Sequence, residues 1–140
     1  MKELVAPHKI ACRQVMVADI PQVIADAEDM KKFLKGGCMG LAHPQVEDKE
    51  PLAFFVDKER GIIVNPEITK HSAYTRDSVE GCMTFLRFAG KIVQRWQKCE
   101  VDYSTISEGA LVKTSESLTG ADAILFQHEI DHINSIYIYD

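Results

Sequence analysis

Two histidines four residues apart, His128 and His132, flank Glu129 near the end of this chain, with eight residues after them. On an α-helix that spacing puts both imidazoles on one face, a turn apart, where they can reach the same metal ion. Glu129 stands beside them, placed to handle the proton of a water. The motif therefore demands a helix, and it demands a further ligand from elsewhere. A three-histidine downstream pattern would need His at position 138, which is Ile138. Asp140 is a formal candidate but a poor one, because chain ends fray. Completion of the site is expected from upstream.

The stripe Ala121, Ile124, Leu125, His128, His132 recurs at helical spacing, with Thr119 as the expected N-cap. Both histidines continue an apolar face, which predicts that they are buried and must be hydrogen-bonded or metal-bound. Two core histidines satisfied by backbone carbonyls would be the alternative. The upstream ligand candidates are the cysteines, His8, His43, His71 and the acids. Cys82, in Glu80-Gly81-Cys82-Met83-Thr84, is the strongest, since glycine permits a close backbone approach. A thiolate with two imidazoles suits a divalent transition metal and leaves a position for water. An unpaired cysteine can equally be a small buried hydrophobe.

A length of 140 residues predicts one domain spanning 1–140. Apolar residues make up 46% and charged residues 26%, and the net charge of −5 argues against non-specific nucleic-acid or membrane-surface binding. No apolar run is long enough for a membrane span, and the first residues lack the apolar core of a secretory signal. The four cysteines, Cys12, Cys38, Cys82 and Cys99, form no CxxC pair. Reduced thiols in a cytoplasmic protein are expected rather than a disulfide framework.

The first eighteen residues show no clear period. Asp19 then reads as an N-cap with Pro21 in the first turn. Ile20, Val23, Ile24, Ala27, Met30 and Leu34 predict a helix that Gly36-Gly37 stop, with Asp26, Asp29 and Lys32 on its solvated side. Strands are expected over Leu52 to Val56, Ile62 to Asn65, Ile92 through Tyr103 and Ala110 to Lys113, the last entered through a turn at Ser107-Glu108-Gly109.

Three segments, Gly40-Leu41-Ala42-His43-Pro44-Gln45, Glu80-Gly81-Cys82-Met83-Thr84 and Gln127-His128-Glu129-Ile130-Asp131-His132, resemble in order and spacing the three signature motifs of peptide deformylases. The third is shared with many metalloproteases; the three together are highly specific. The resemblance implies an α+β fold in which antiparallel strands pack around a central C-terminal helix carrying the histidines. It implies Cys82, His128 and His132 as ligands of one divalent ion, usually Fe2+, with Zn2+, Ni2+ or Co2+ able to occupy the site. The implied reaction is removal of the N-formyl group from nascent polypeptides that begin with formyl-methionine, with the ribosome as a candidate partner.

In that scheme metal-activated hydroxide attacks the formyl carbon and Glu129 carries the proton to the leaving amine. The Gln45 side-chain amide and the Met83 backbone N–H would stabilise the oxyanion. The backbone around Gly40 and Gly81 would pair with an extended peptide. Leu125 would line the methionine pocket, with Glu80 at its rim. Several positions depart from the family pattern: Cys38 replaces glycine, His43 alanine, Met83 leucine and Thr84 serine. Phe85 to Gly90 lacks the usual proline, and Arg87 could be the arginine often found there. Arg95 is read as structural, paired with Asp131 or another acid. His43 could contact substrate, or simply face solvent. Two other functions are compatible with the motifs: a hydrolase for a different N-acyl substrate, and a metal-bound module that binds polypeptide N-termini with little catalysis.

Overall fold

The computed structural model describes residues 1–81 and 90–140. Cys82, Met83, Thr84, Arg87 and the rest of Phe85 to Ala89 lie outside the described residues.

Alternation along one short strand organises the molecule. All four residues of β2 (Phe54–Asp57) are buried, because both faces of the strand are covered. Phe54 and Val56 enter a cluster with Val23, Ala27 and Met30 of α1 (Ile20–Met30). Phe55 points the other way, into a cluster with Ala123, Phe126, Ile130 and Ile133 of α2 (Gly120–Ile133). There it meets Phe126 edge-to-face, the ring centroids 5.1 Å apart. Burying each such side chain stabilises the fold by about 1.5–3 kcal/mol.

Strand β2 belongs to an antiparallel sheet that also contains β1 (Gly40–Ala42), β3 (Gly61–His71), β6 (Lys98–Ser107) and β7 (Ala110–Thr119), ordered β1-β2-β3-β6-β7. A second sheet pairs β4 (Thr75–Glu80) with β5 (Lys91–Trp96). Helix α2 is held between the two sheets. The α+β architecture with a central C-terminal helix is as expected. No helix among the described residues is long and apolar enough to cross a membrane.

The sheets correct the sequence reading in detail. The single run expected over Ile92 to Tyr103 is two strands, β5 and β6, which break at Gln97 and enter different sheets. Strand β4 was not expected, because its inward side chains are Ser78 and Glu80 rather than apolar residues. The turn at Ser107-Glu108-Gly109 is a tight hairpin, with Glu108 at φ 50 and Gly109 at φ 75 between Ser107 and Ala110.

The helices are corrected too. Helix α1 ends at Met30 and tightens into a 3-10 turn, Lys31–Phe33, before Gly36 at φ 60. Asp19 stands at its N-cap position, but its carboxylate takes the Met16 N–H and the Arg13 guanidinium instead of capping. Asp26 is not on a solvated side: it is buried in the structure. In α2, Thr119 occupies the N-cap without a side-chain bond. The face of α2 packed on the large sheet is Ala123, Phe126, Ile130 and Ile133, not the expected stripe, and Ala121 is exposed. A helix covered on several sides has more than one buried stripe, so periodicity alone could not choose between them.

Gln127 ties this helix to the small sheet. Its Oε1 accepts the Trp96 N–H at 2.8 Å, and its Nε2 donates to the carbonyls of Trp96 and Ala123. It acts as a short length of strand beside β5.

Candidate active site

His128 and His132 lie side by side on α2, their ring centroids 4.5 Å apart and nearly perpendicular. His132 is buried and His128 is half-buried. Both therefore border the site, although only His132 is fully enclosed. Nδ1 of each ring is held by a carboxylate. Glu80, the last residue of β4, sits 2.6 Å from His128 Nδ1, and Glu129 Oε1 sits 3.0 Å from His132 Nδ1. Carboxylate oxygens accept, so Nδ1 carries the hydrogen and Nε2 is the ring nitrogen that could serve a metal. This is how metal-bound histidines are commonly oriented. Ligand atoms of His128, Glu129 and His132 all lie within 4.8 Å of one another.

Glu80, expected at the rim of the methionine pocket, is engaged with other side chains of the protein. It is buried, and Arg95 on the facing strand clamps it through Nε at 2.9 Å and Nη2 at 2.7 Å. Burial pushes the Glu80 carboxyl up, but bonds from Arg95, His128 and Ser78 outweigh it and hold it at about 2. Arg95 also reaches Asp131 at 2.6 Å, which joins the small sheet to the helix one residue before His132.

Glu129 faces the edge strand β1. A Cβ on Gly40 would lie 2.9 Å from Leu125 Cδ1 and 3.0 Å from Glu129 Oε2. The glycine is required by this close approach. Gly40→Ala should displace the Glu129 carboxylate and lower turnover roughly 10- to 100-fold with metal content unchanged; parallel rate and metal assays check this. At Gly81 a Cβ would meet no described atom within 4 Å, so close packing does not explain that glycine.

Gln45 ends a buried 3-10 turn, His43–Gln45, that follows β1 and packs against α2. Its Oε1 accepts the Ala42 N–H at 3.0 Å, which fixes the amide plane. His43 neither faces solvent nor presents itself to a substrate: it is 1% exposed. Leu52 N–H donates to its Nδ1 at 2.8 Å, so Nε2 carries the hydrogen and donates to Asp26 Oδ2 at 2.9 Å. Burial pushes the His43 pKa below its ordinary value, and Asp26 only partly opposes this.

Of the other candidate ligands, Cys38 donates its thiol to the Gly40 carbonyl at 3.5 Å, on the strand edge that faces Glu129. His8 binds the carbonyls of Pro44 and Glu47, and His71 stacks on Trp96. Cys12 and Cys99 are free thiols whose pKa burial raises, to about 11 for Cys12. Asp140 is tied to Lys9 and to the Tyr137 N–H.

The model of the polypeptide deformylase family matches residues 7–140. The chain belongs to that family. A peptide deformylase of Thermotoga neapolitana is 36% identical over 104 residues, covering 73% of this chain and 60% of that protein. Peptide deformylase 2 of Geobacillus stearothermophilus is 34% identical over 130 residues, covering 87% of this chain and 69% of its own. The crystal structure of the Thermotoga maritima peptide deformylase superposes with a TM-score of 0.79 at 27% identity, covering 100% of this chain and 96% of that one. The chain spans 60% and 65% of the curated deformylases of Thermotoga neapolitana and Bacillus anthracis.

Proposed function

We propose that this member of the deformylase family is a metal-dependent hydrolase, acting as one catalytic domain to remove the formyl group from formyl-methionyl polypeptides. The observation that carries this reading is the His128–Glu129–His132 cluster, with both imidazoles turned by carboxylates at Nδ1. Such a donor set fits a divalent ion such as Fe2+ or Zn2+ held by His128, His132 and Cys82. Bound there, the metal would supply Lewis acidity and an acidified water.

The chain's own residues do the rest. Glu129 takes a proton from the attacking water and delivers it to the leaving amine. The Gln45 amide and the Met83 N–H donate to the oxyanion. The edge of β1 at Gly40 pairs with the extended substrate, and Leu125, in contact with that edge, borders the methionine side chain. The proposed substrate class implies a cytoplasmic setting, with nascent chains as substrates and the ribosome as a candidate partner. Two departures, His43 and the segment after Cys82, would suit a different N-acyl substrate; the His43 ring is buried against Asp26 and offers the substrate no contact, and the segment lies outside the described residues.

The test is turnover of a formyl-Met peptide by protein purified without oxygen, with metal content measured on the same sample, since a metal-bound thiolate and ferrous iron are both oxidisable. Formate release at about one metal per chain is the expected result. Peptide binding without hydrolysis would favour the binding module instead.

A further inference from the structure

The His43–Gln45 turn is held from every side. The ring of His43 bridges α1 and the segment that leads into β2, through Asp26 Oδ2 and the Leu52 N–H, and lies stacked on Phe54 at 4.6 Å. Asp26 is itself held by Gln22 Nε2, which donates to its Oδ1 at 2.7 Å. The carbonyl of Pro44 accepts from His8 at 2.8 Å, and that of Gln45 accepts the Val5 N–H at 2.9 Å. The turn is thus fixed through His43 by α1 and the segment entering β2, and through Pro44 and Gln45 by the N-terminal segment. A buried polar pair adds little net stability over a well-packed apolar pair. What two ring nitrogens with assigned partners do add is direction. The Gln45 amide is anchored on the N–H of Ala42, the last residue of β1, so its orientation depends on how the turn is set against that strand.

We propose that His43 and Asp26 are positioning residues that aim the Gln45 amide at the oxyanion. The proposal rests on the role given to Gln45 above. His43 touches no reacting atom in this scheme. It fixes the turn against α1, so the donor is in place before the substrate arrives, as an oxyanion donor must be.

The test compares kcat, KM and metal content for His43→Asn, Asp26→Ala, Asp26→Asn, Gln45→Ala and the double variant His43→Asn/Gln45→Ala. His43→Asn retains an acceptor for the Leu52 N–H but cannot reach Asp26, so the fold is kept while the link is cut. His43→Asn and Asp26→Ala should each lower kcat about tenfold with KM changed less than about twofold, short of the roughly 10²–10³ for deleting the donor itself. Asp26→Asn should restore the rate, because its amide oxygen still accepts from Nε2. On the Gln45→Ala background, His43→Asn should change kcat by less than about twofold. The Gln45 side-chain amide NMR signals should also shift or broaden in His43→Asn. An undiminished His43→Asn loss on the Gln45→Ala background would overturn the proposal alone. So would a wild-type kcat in His43→Asn. A wild-type kcat in Gln45→Ala would sink the oxyanion role, and the positioning role with it.

Discussion

Glu129→Ala is expected to leave about one metal per chain and to lower formyl-peptide hydrolysis by roughly 10²–10⁴-fold or more. The substitution removes the carboxylate beside His132 Nδ1 and the oxygen that faces Gly40, while Nε2 of both histidines survives. A modest loss of metal affinity should accompany it, because His132 loses the acceptor that orients its ring. Cys82→Ala should behave differently, losing metal and activity together. Metal analysis by mass spectrometry beside a formate assay separates the two. If Cys82→Ala retains full metal and full rate, the third ligand is another residue. If Glu129→Ala retains the rate, the proton is carried elsewhere.

The second large effect is expected at Glu80, although it touches no substrate in this scheme. Glu80→Ala removes the main partner of Arg95, whose side chain is 5% exposed and would keep, among the described residues, only Asp131. Breaking a buried pair on one side destabilises by about 3–5 kcal/mol, and the remaining bond to Asp131 puts this case near the lower figure. His128 also loses the acceptor at Nδ1, which should weaken metal binding by about 10- to 100-fold. Thermal unfolding and competition with a metal chelator measure the two effects separately. Glu80→Gln, which retains one acceptor oxygen, should fall between wild type and Glu80→Ala. Unchanged metal affinity in Glu80→Ala would show that the bond to His128 does not matter to the metal.

Glu80 and Asp26 also show where the sequence could be read and where it could not. The histidine pair, Glu129, the central helix and most strands follow from spacing, because helical and strand periods are local properties of the chain. The partners of those residues are not local. Glu80 and His128 are 48 residues apart, and Asp26 and His43 are 17 apart. Nothing in the pattern around Glu80 distinguishes a rim carboxylate from a buried one. For Asp26 a signal was present: Val23, Asp26, Ala27 and Met30 share one helical stripe, and all four are buried. An acid on that stripe needs a donor in the core, and His43 supplies it. Strand β4 was missed for the related reason that its inward face carries polar side chains, Ser78 and Glu80.

A two-stranded ribbon on its own is marginal in water, yet β4–β5 carries the carboxylate that orients a proposed metal ligand. Beside the Arg95–Asp131 and Glu80–His128 links, Gln127 steadies it, its amide standing in for a further strand along β5. The first letter of the QHEIDH signature is therefore architectural. It splices a helix onto a ribbon, and a replacement at that position would have to supply both hydrogen bonds to the Trp96 backbone at once to keep the ribbon's inner edge sealed.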